Sequence, residues 1–374
     1  MNTALVVDIA EFAGLFTISA LVRSRFRHHG YSATAAGGIV MAIGIFADAA
    51  LRELPFYSPT LARLITLEAL VIWLFLAWSY LLAATNRHFR MHMQHPLRRF
   101  AIGTWVAGTA VLSVICVHYL PGAPLLGKTL ALVAVVVYLP YVVLFVNGYL
   151  RLWRHPAKQN ANGVILLATV STQSVVIALD AAFGGGFATN IAIGMVAFDM
   201  IFLCSGLVLV AIHYHAVGSW FLAIEWKNAN CILHGAISIT GLALVLTSNF
   251  NADVLFGVWE VALVLFVAVE SIEFLRMLER ERRRGLRLGL LVYDSTQWTR
   301  NFTYGMFYAF SLALYHRTDF LQTATGAFWW PALDPIVRWG QYAVLAILLV
   351  EILLFLRARL HLFWRVGARI TREV

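Results

Sequence analysis

Charge is what this sequence has least of. Asp, Glu, Lys and Arg together make up 13% of its 374 residues, too few to cover a water-soluble domain of this length. Cysteine is nearly absent as well. Cys116, Cys204 and Cys231 lie in apolar runs at unrelated spacings, which excludes a disulfide framework or a cysteine zinc site and leaves them as small core hydrophobes. Of nine prolines, only Pro140 falls well inside an apolar run, so proline kinks are not a general device here. A Walker loop, a glycine-rich dinucleotide fingerprint, a nucleophile elbow and paired catalytic carboxylates are also missing. The chain reads as a non-enzyme with no cofactor and no metal. No short leader with a small-residue cleavage site opens it, so the first span is expected to direct insertion.

Apolar residues fill the space: 61% of the chain is hydrophobic and the mean hydropathy is +0.77. They gather in runs of roughly 18 to 25, the length a helix needs to cross about 30 Å of hydrocarbon. The fold class this predicts is an all-α polytopic membrane protein. Ten spans are read over residues 34–51, 61–84, 101–120, 129–150, 163–182, 187–213, 231–247, 254–275, 296–315 and 335–356. They make five helical hairpins in a transmembrane domain of residues 31–356. Residues 1–30 form an amino-terminal cytoplasmic or interfacial segment, in which 4–22 carry Asp8 and Glu11 and are expected to lie flat at the inner interface, with an eleventh span that would put the amino terminus outside as the alternative. Residues 357–374 form a basic cytoplasmic tail.

The net charge of +9 points to topology rather than to nucleic acid, because the basic residues are one-sided. Arg23, Arg25, Arg27, Arg87, Arg90, Arg98, Arg99 and the arginines between 276 and 287 fall in alternate loops, whereas the opposite loops hold only Arg52, Arg63, Lys128, Arg317 and Arg338. Basic loops stay in the cytoplasm, which places both termini there and the chain in the cell's inner membrane.

Odd and even spans differ in character. "GGIVMAIGIFAD", "WVAGTAVLS", "LLATVSTQSVVIA", "HGAISITGLA" and "NFTYGMFYAFS" are rich in small and hydroxyl residues, while "LVIWLFLAW" and "LALVAVVVYLPYVVLFV" are bulkier. Small and polar residues gather where helices pack closely or line a wet path, and bulky ones face lipid. The odd helices are therefore expected to form an inner ring and the even ones an outer ring.

Four stretches in fixed order carry a resemblance: "GGIVMAIGIFADAAL" (37–51), "HPLRRFAIGTWVAGTAVL" (95–112), "LLATVSTQSV" (166–175) and "YDSTQWTRNFTYGMFYA" (293–309). Over about residues 31–320 the chain resembles the tellurite-resistance and C4-dicarboxylate transporter family, which includes the plant slow anion channels. The resemblance implies a central pore inside five odd helices, assembly as a homotrimer, and an aromatic plug matched here by Phe302. It further implies small anions or organic acids as substrate, in the lipid bilayer. A proton-coupled exporter of organic acids or oxyanions is the near alternative. A non-conducting membrane scaffold, or a haem-binding subunit of a larger complex, is the alternative of another class. The chain departs from the family where pore-helix prolines are replaced, at Ala168 and Thr303 among others, so straighter inner helices and a tighter lumen are expected.

Ionisable groups in spans are costly and rare, which singles out Asp48 and His234 as titratable pore candidates. Asp48 also stands one helical turn from Arg52, and Asp199, near the middle of the sixth span, needs a partner within the bundle. Thr109, Ser113, Thr169, Ser171, Thr172, Ser174, Ser238 and Thr303 are the neutral groups expected to line the pore, with helix-to-helix hydrogen bonding as the competing use. Arg99, Arg283 and Arg300 are expected at the inner mouth, where their field would concentrate anions. Asp294 and Gln297 have the spacing of a capping box for the ninth span. His88 and His92 have the i, i+4 spacing of a metal pair but lack an accompanying Glu or Cys.

Overall fold

In hydrocarbon a backbone can satisfy its hydrogen bonds only within its own helix or in a closed barrel, and the described residues of this chain take the first route. The computed structural model describes residues 3–25, 31–86, 88–93, 95–155, 160–217, 221–247, 250–317 and 324–370. Among these, every regular element is helical. The elements are α1 (Thr3–Arg25), α2 (Gly38–Ile45), α3 (Pro59–Thr85), α4 (Arg90–Met93), α5 (Pro96–Phe100), α6 (Gly103–Tyr119), α7 (Pro124–Arg154), α8 (Leu167–Phe183), α9 (Gly185–Ala216), α10 (Leu222–Glu225), α11 (Ile232–Thr247), α12 (Ala252–Gly289), α13 (Gln297–Tyr315) and α14 (Ala324–Ile370). Short 3-10 turns lead into α2, α8 and α11.

Nine of the described helical runs are long and apolar enough to cross a membrane: those of α1, α2, α3, α5–α6, α7, α8, α9, α11 and α12. They take in eight of the ten expected spans and add α1; α13 and α14, the ninth and tenth expected spans, are not among them. α13 opens on the polar turn "QWTRN", which lowers its hydropathy. The tail residue Arg372 and the loop residues Arg27 and Arg87 lie outside the described residues.

The contrast between odd and even spans appears as burial. In the runs of α2, α6, α8 and α11, 72–83% of the apolar window is buried, against 33–39% in those of α3, α7, α9 and α12. α2 packs on α6 and α13, α6 on α8, α8 on α11, and α11 on α13. Small residues permit these approaches: a side chain on Gly37 would run into the Thr104 backbone of α6, and one on Gly241 into the Phe310 ring of α13.

Residues 4–22 lie lengthwise against α3. Arg63, near the start of α3, pairs with Asp8 at 3.7 Å and with Glu11 at 2.8 Å. Further along, Ser19 donates to Glu68 at 3.3 Å, and Phe16 stacks on Phe75 at 5.3 Å with Arg23 over the same ring. The contacts advance together, so α1 and α3 point the same way. Asp8 and Glu11, which argued against burial in the sequence, are held by the arginine of the neighbouring helix.

Candidate functional site: two cavities on five helices

Two cavities share the same five helices. The first, of about 650 Å³, lies at their amino ends and is lined by Thr34 and Ala35, Arg98 and Ala101, Asn162 and Val164, Asn228 and Ala229, and Ser295 and Thr296. The second, of about 300 Å³, lies toward their carboxyl ends and is lined by Ile45 and Asp48 of the α2 run, Val111 and His118 of α6, Ser174 and Asp180 of α8, Ile239 and Leu242 of α11, and Met306 and Ala309 of α13. Because each helix contributes its start to one cavity and its later turns to the other, the five run parallel.

The register between the cavities is uniform. The last residue lining the amino-end cavity and the first lining the carboxyl-end cavity are 35 and 45, 101 and 111, 164 and 174, 229 and 239, and 296 and 306. Ten residues of helix rise about 15 Å. One turn back from each residue that opens the second cavity stand Met41, Ala107, Val170, Gly235 and Phe302, all buried. Phe302 is 1% exposed and continues, at helical spacing, the α13 stripe of Met306, Ala309 and Ala313 that lines the second cavity. It is the bulkiest of the five.

At the carboxyl end, α2 gives way to a π-helical turn over Phe46–Ala50, followed by a 3-10 turn; such turns re-aim side chains and recur at functional sites. The turn carries Asp48. Arg52 donates to Asp48 at 3.2 Å and to the Tyr119 hydroxyl at 2.5 Å, and His118 Nδ1 lies 2.7 Å from Asp48. Arg52 and His118 also line a neighbouring surface cavity of about 540 Å³. The Asp48, Arg52 and His118 group therefore stands between that cavity and the one on the five helices.

At the amino end, five parallel helix starts turn the positive ends of their dipoles toward one space, which Arg98, Lys227 and Arg276 also line. The inner-mouth arginines expected from the sequence are placed differently. Arg99 donates from Nε to the Met93 carbonyl at 2.9 Å, Arg283 is exposed and pairs with Glu279, and Arg300 is bound between Glu270 and Glu273 at 3.1 Å each. None of the three lines the amino-end cavity. Asp294 opposes the positive field there, and its N–H donates to Gln297 Oε1 at 3.0 Å while its Oδ1 accepts from the Thr296 N–H at 2.9 Å. Half of the expected capping box therefore forms: Gln297 reaches back to the Asp294 N–H, while the Asp294 carboxylate accepts from Thr296, just before α13, and not from Gln297.

Most of the expected polar lining points away from both cavities. Thr109 accepts from Trp73 Nε1 on α3 at 2.8 Å, Ser113 donates to the Gly127 carbonyl on α7 at 2.7 Å, and Thr172 meets the Tyr138 hydroxyl on α7 at 2.9 Å. Ser171 donates to the Leu167 and Gly103 carbonyls, Ser238 to the His234 carbonyl and Thr303 to the Arg300 carbonyl. Thr169 lies beside Asp199, which accepts from Gln173 at 3.0 Å. Of the eight, only Ser174 lines the carboxyl-end cavity. In a low-dielectric interior a hydroxyl is worth most where it meets another helix; Thr109, Ser113, Ser171 and Thr172 are used that way, while Ser238 and Thr303 bond carbonyls of their own helices.

His234 faces α12 and α13, with Nε2 3.5 Å from Glu270 Oε1. His92 is buried against the rings of Tyr80, Phe89 and Trp105 and bonds Thr34 Oγ1 through Nδ1 at 2.8 Å. Burial, aided by the charge of Arg98, holds its proton affinity below that of a free imidazole. His88 bonds the Asn86 carbonyl instead, so the two do not converge on a metal, and among the described residues no cluster of three or more metal-ligating side chains occurs. His118, Arg98 and Glu270 were not singled out from sequence as site residues; the signal for His118 is depth, since it sits at the end of its span as Asp48 does at the end of its own.

Compared with protein-family models and with curated proteins, the sequence matches none.

Proposed function

We propose that α2, α6, α8, α11 and α13 ring a passage for small anions or organic acids, wrapped by the remaining helices and held closed by an apolar girdle of Met41, Ala107, Val170, Gly235 and Phe302. The observation that carries this reading is the uniform ten-residue interval between two cavities lined by the same five helices. Helix starts and basic residues at the amino end favour an anion there, and the apolar girdle is a gate of the dewetting kind. The reading agrees with the family resemblance of the four sequence stretches, which also brings the homotrimer and the inner membrane. One-sided loop arginines put the amino-end cavity and the carboxyl terminus on the cytoplasmic face. Because α1 runs parallel to α3, it counts in this reading as an eleventh crossing helix, with its amino end outside.

The test is reconstitution in liposomes with current recorded for chloride, nitrate and malate, comparing the parent with Phe302→Ala. A larger conductance in the variant is expected. Equal currents would move the plug elsewhere in the girdle. The hydroxyls turned outward from the cavities favour a second reading, a non-conducting scaffold on the same helices, and silence from both proteins would select it.

A further inference from the structure

The α11–α12–α13 interface holds more charge than packing requires. His234 has a fully buried side chain, and neither of its ring nitrogens completes a hydrogen bond; Nε2 faces Glu270. The other Glu270 oxygen accepts from Arg300 Nη1 at 3.1 Å and from the Tyr304 hydroxyl at 2.9 Å. Arg300 Nη2 reaches Glu273 at 3.1 Å, Glu273 binds Arg276 at 2.9 Å, and Arg276 donates to Asn228 at 2.5 Å. Arg276 and Asn228 line the amino-end cavity. An unbroken chain of polar groups therefore runs from that cavity to a histidine buried in a span.

We propose that His234 and Glu270 form a proton-binding site, reached from the amino-end side and tied to that cavity by the ion pairs of Arg300, Glu273 and Arg276; its occupancy sets how readily an anion enters the passage. The charges decide its state. Glu270 and Glu273 balance Arg276 and Arg300, so a neutral imidazole leaves the cluster at zero and an imidazolium leaves it at plus one. Isolated buried charge is unfavourable, and an anion one helix away is the partner that compensates it. At an effective dielectric of ~20, a unit charge ~10 Å away changes the anion's occupancy roughly tenfold. The groups facing His234 are Glu270 from α12 and Arg300 and Tyr304 from α13, with Glu273 and Arg276 of α12 beyond Arg300. α8 and α9, also packed on α11, carry Asp180, Asp199 and His213, none of which is paired with His234 in the structure.

The influence on anions rests on the passage proposed above; the proton site does not. Magic-angle NMR of 15N-histidine-labelled protein in bilayers, with the His234 signal assigned by its loss in His234→Gln or His234→Asn, reads the site without transport. A His234 signal that titrates between pH 5 and 8, with a lower midpoint in Glu270→Gln, is expected. A signal fixed in one state from pH 4.5 to 8.5 would overturn the proposal. In liposomes the parent current should rise about tenfold on acidifying the amino-end side, and His234→Gln should flatten the profile. A parent current that ignores pH while His234 titrates would remove the coupling and leave the proton site. Absent current in every protein would count against the passage, and the NMR titration would still decide the site.

Discussion

Two buried acidic regions of this protein solve the same problem in opposite ways. Between α11, α12 and α13, Glu270 and Glu273 are bracketed by Arg276 and Arg300, and the network reaches a cavity. Between α8 and α9, Asp199 is fully buried with Gln173 as its hydrogen-bond donor, and among the described residues no basic side chain pairs with it. The first region is charged and connected; the second is held by neutral dipoles and closed. A carboxylate in hydrocarbon needs either a counter-charge or a donor, and the choice decides which substitutions it tolerates.

The sharpest way to break the comparison is Arg300→Met, which strands Glu270 and Glu273 with one cation fewer. A loss of about 3–5 kcal/mol is expected, read as a lower denaturation midpoint in detergent. Gln173→Leu removes the donor from Asp199 and should cost about 1–3 kcal/mol in the same assay. Asp199→Asn keeps a side chain of the same shape that still bonds Gln173, so stability should stay within about 1 kcal/mol of the parent; a loss as large as that of Arg300→Met would show that Asp199 has a hidden cation. The smallest effect belongs to His92, outside the spans. Its folded proton affinity lies below the unfolded value of about 6.5, so the unfolded chain binds the proton first. Stability should therefore fall as pH drops through about 6.5 toward the folded value. A thermal melt series from pH 8 to 5 checks this, with His92→Phe expected to show a weaker slope.

Much of this was legible in the sequence where the rule is local. The Gln297 half of the capping box, the Asp48 and Arg52 pair one turn apart, and the small residues at helix seams each depend on spacing along a single helix, and each appears in the structure. What spacing could not supply was azimuth. Thr109 and Ser113, four apart, share a face, but only the neighbours α3 and α7 reveal that the face points outward. The same holds for Arg300, whose basic charge suggested a watery mouth until the carboxylates of α12 came alongside. α1 shows the same limit: its acids look unpartnered until Arg63 of another helix is set opposite them.

The equal interval on the five helices makes each of them intolerant of length change between its two lining residues. Removing one residue from the stretch 35–45 would rotate everything beyond it by about 100°, swinging Asp48 and Arg52 away from His118 and Tyr119 while the other four helices kept their phase. Point substitutions there alter one contact. A single deletion would dismantle a whole mouth, so natural variation in length should be confined to the connections between helices.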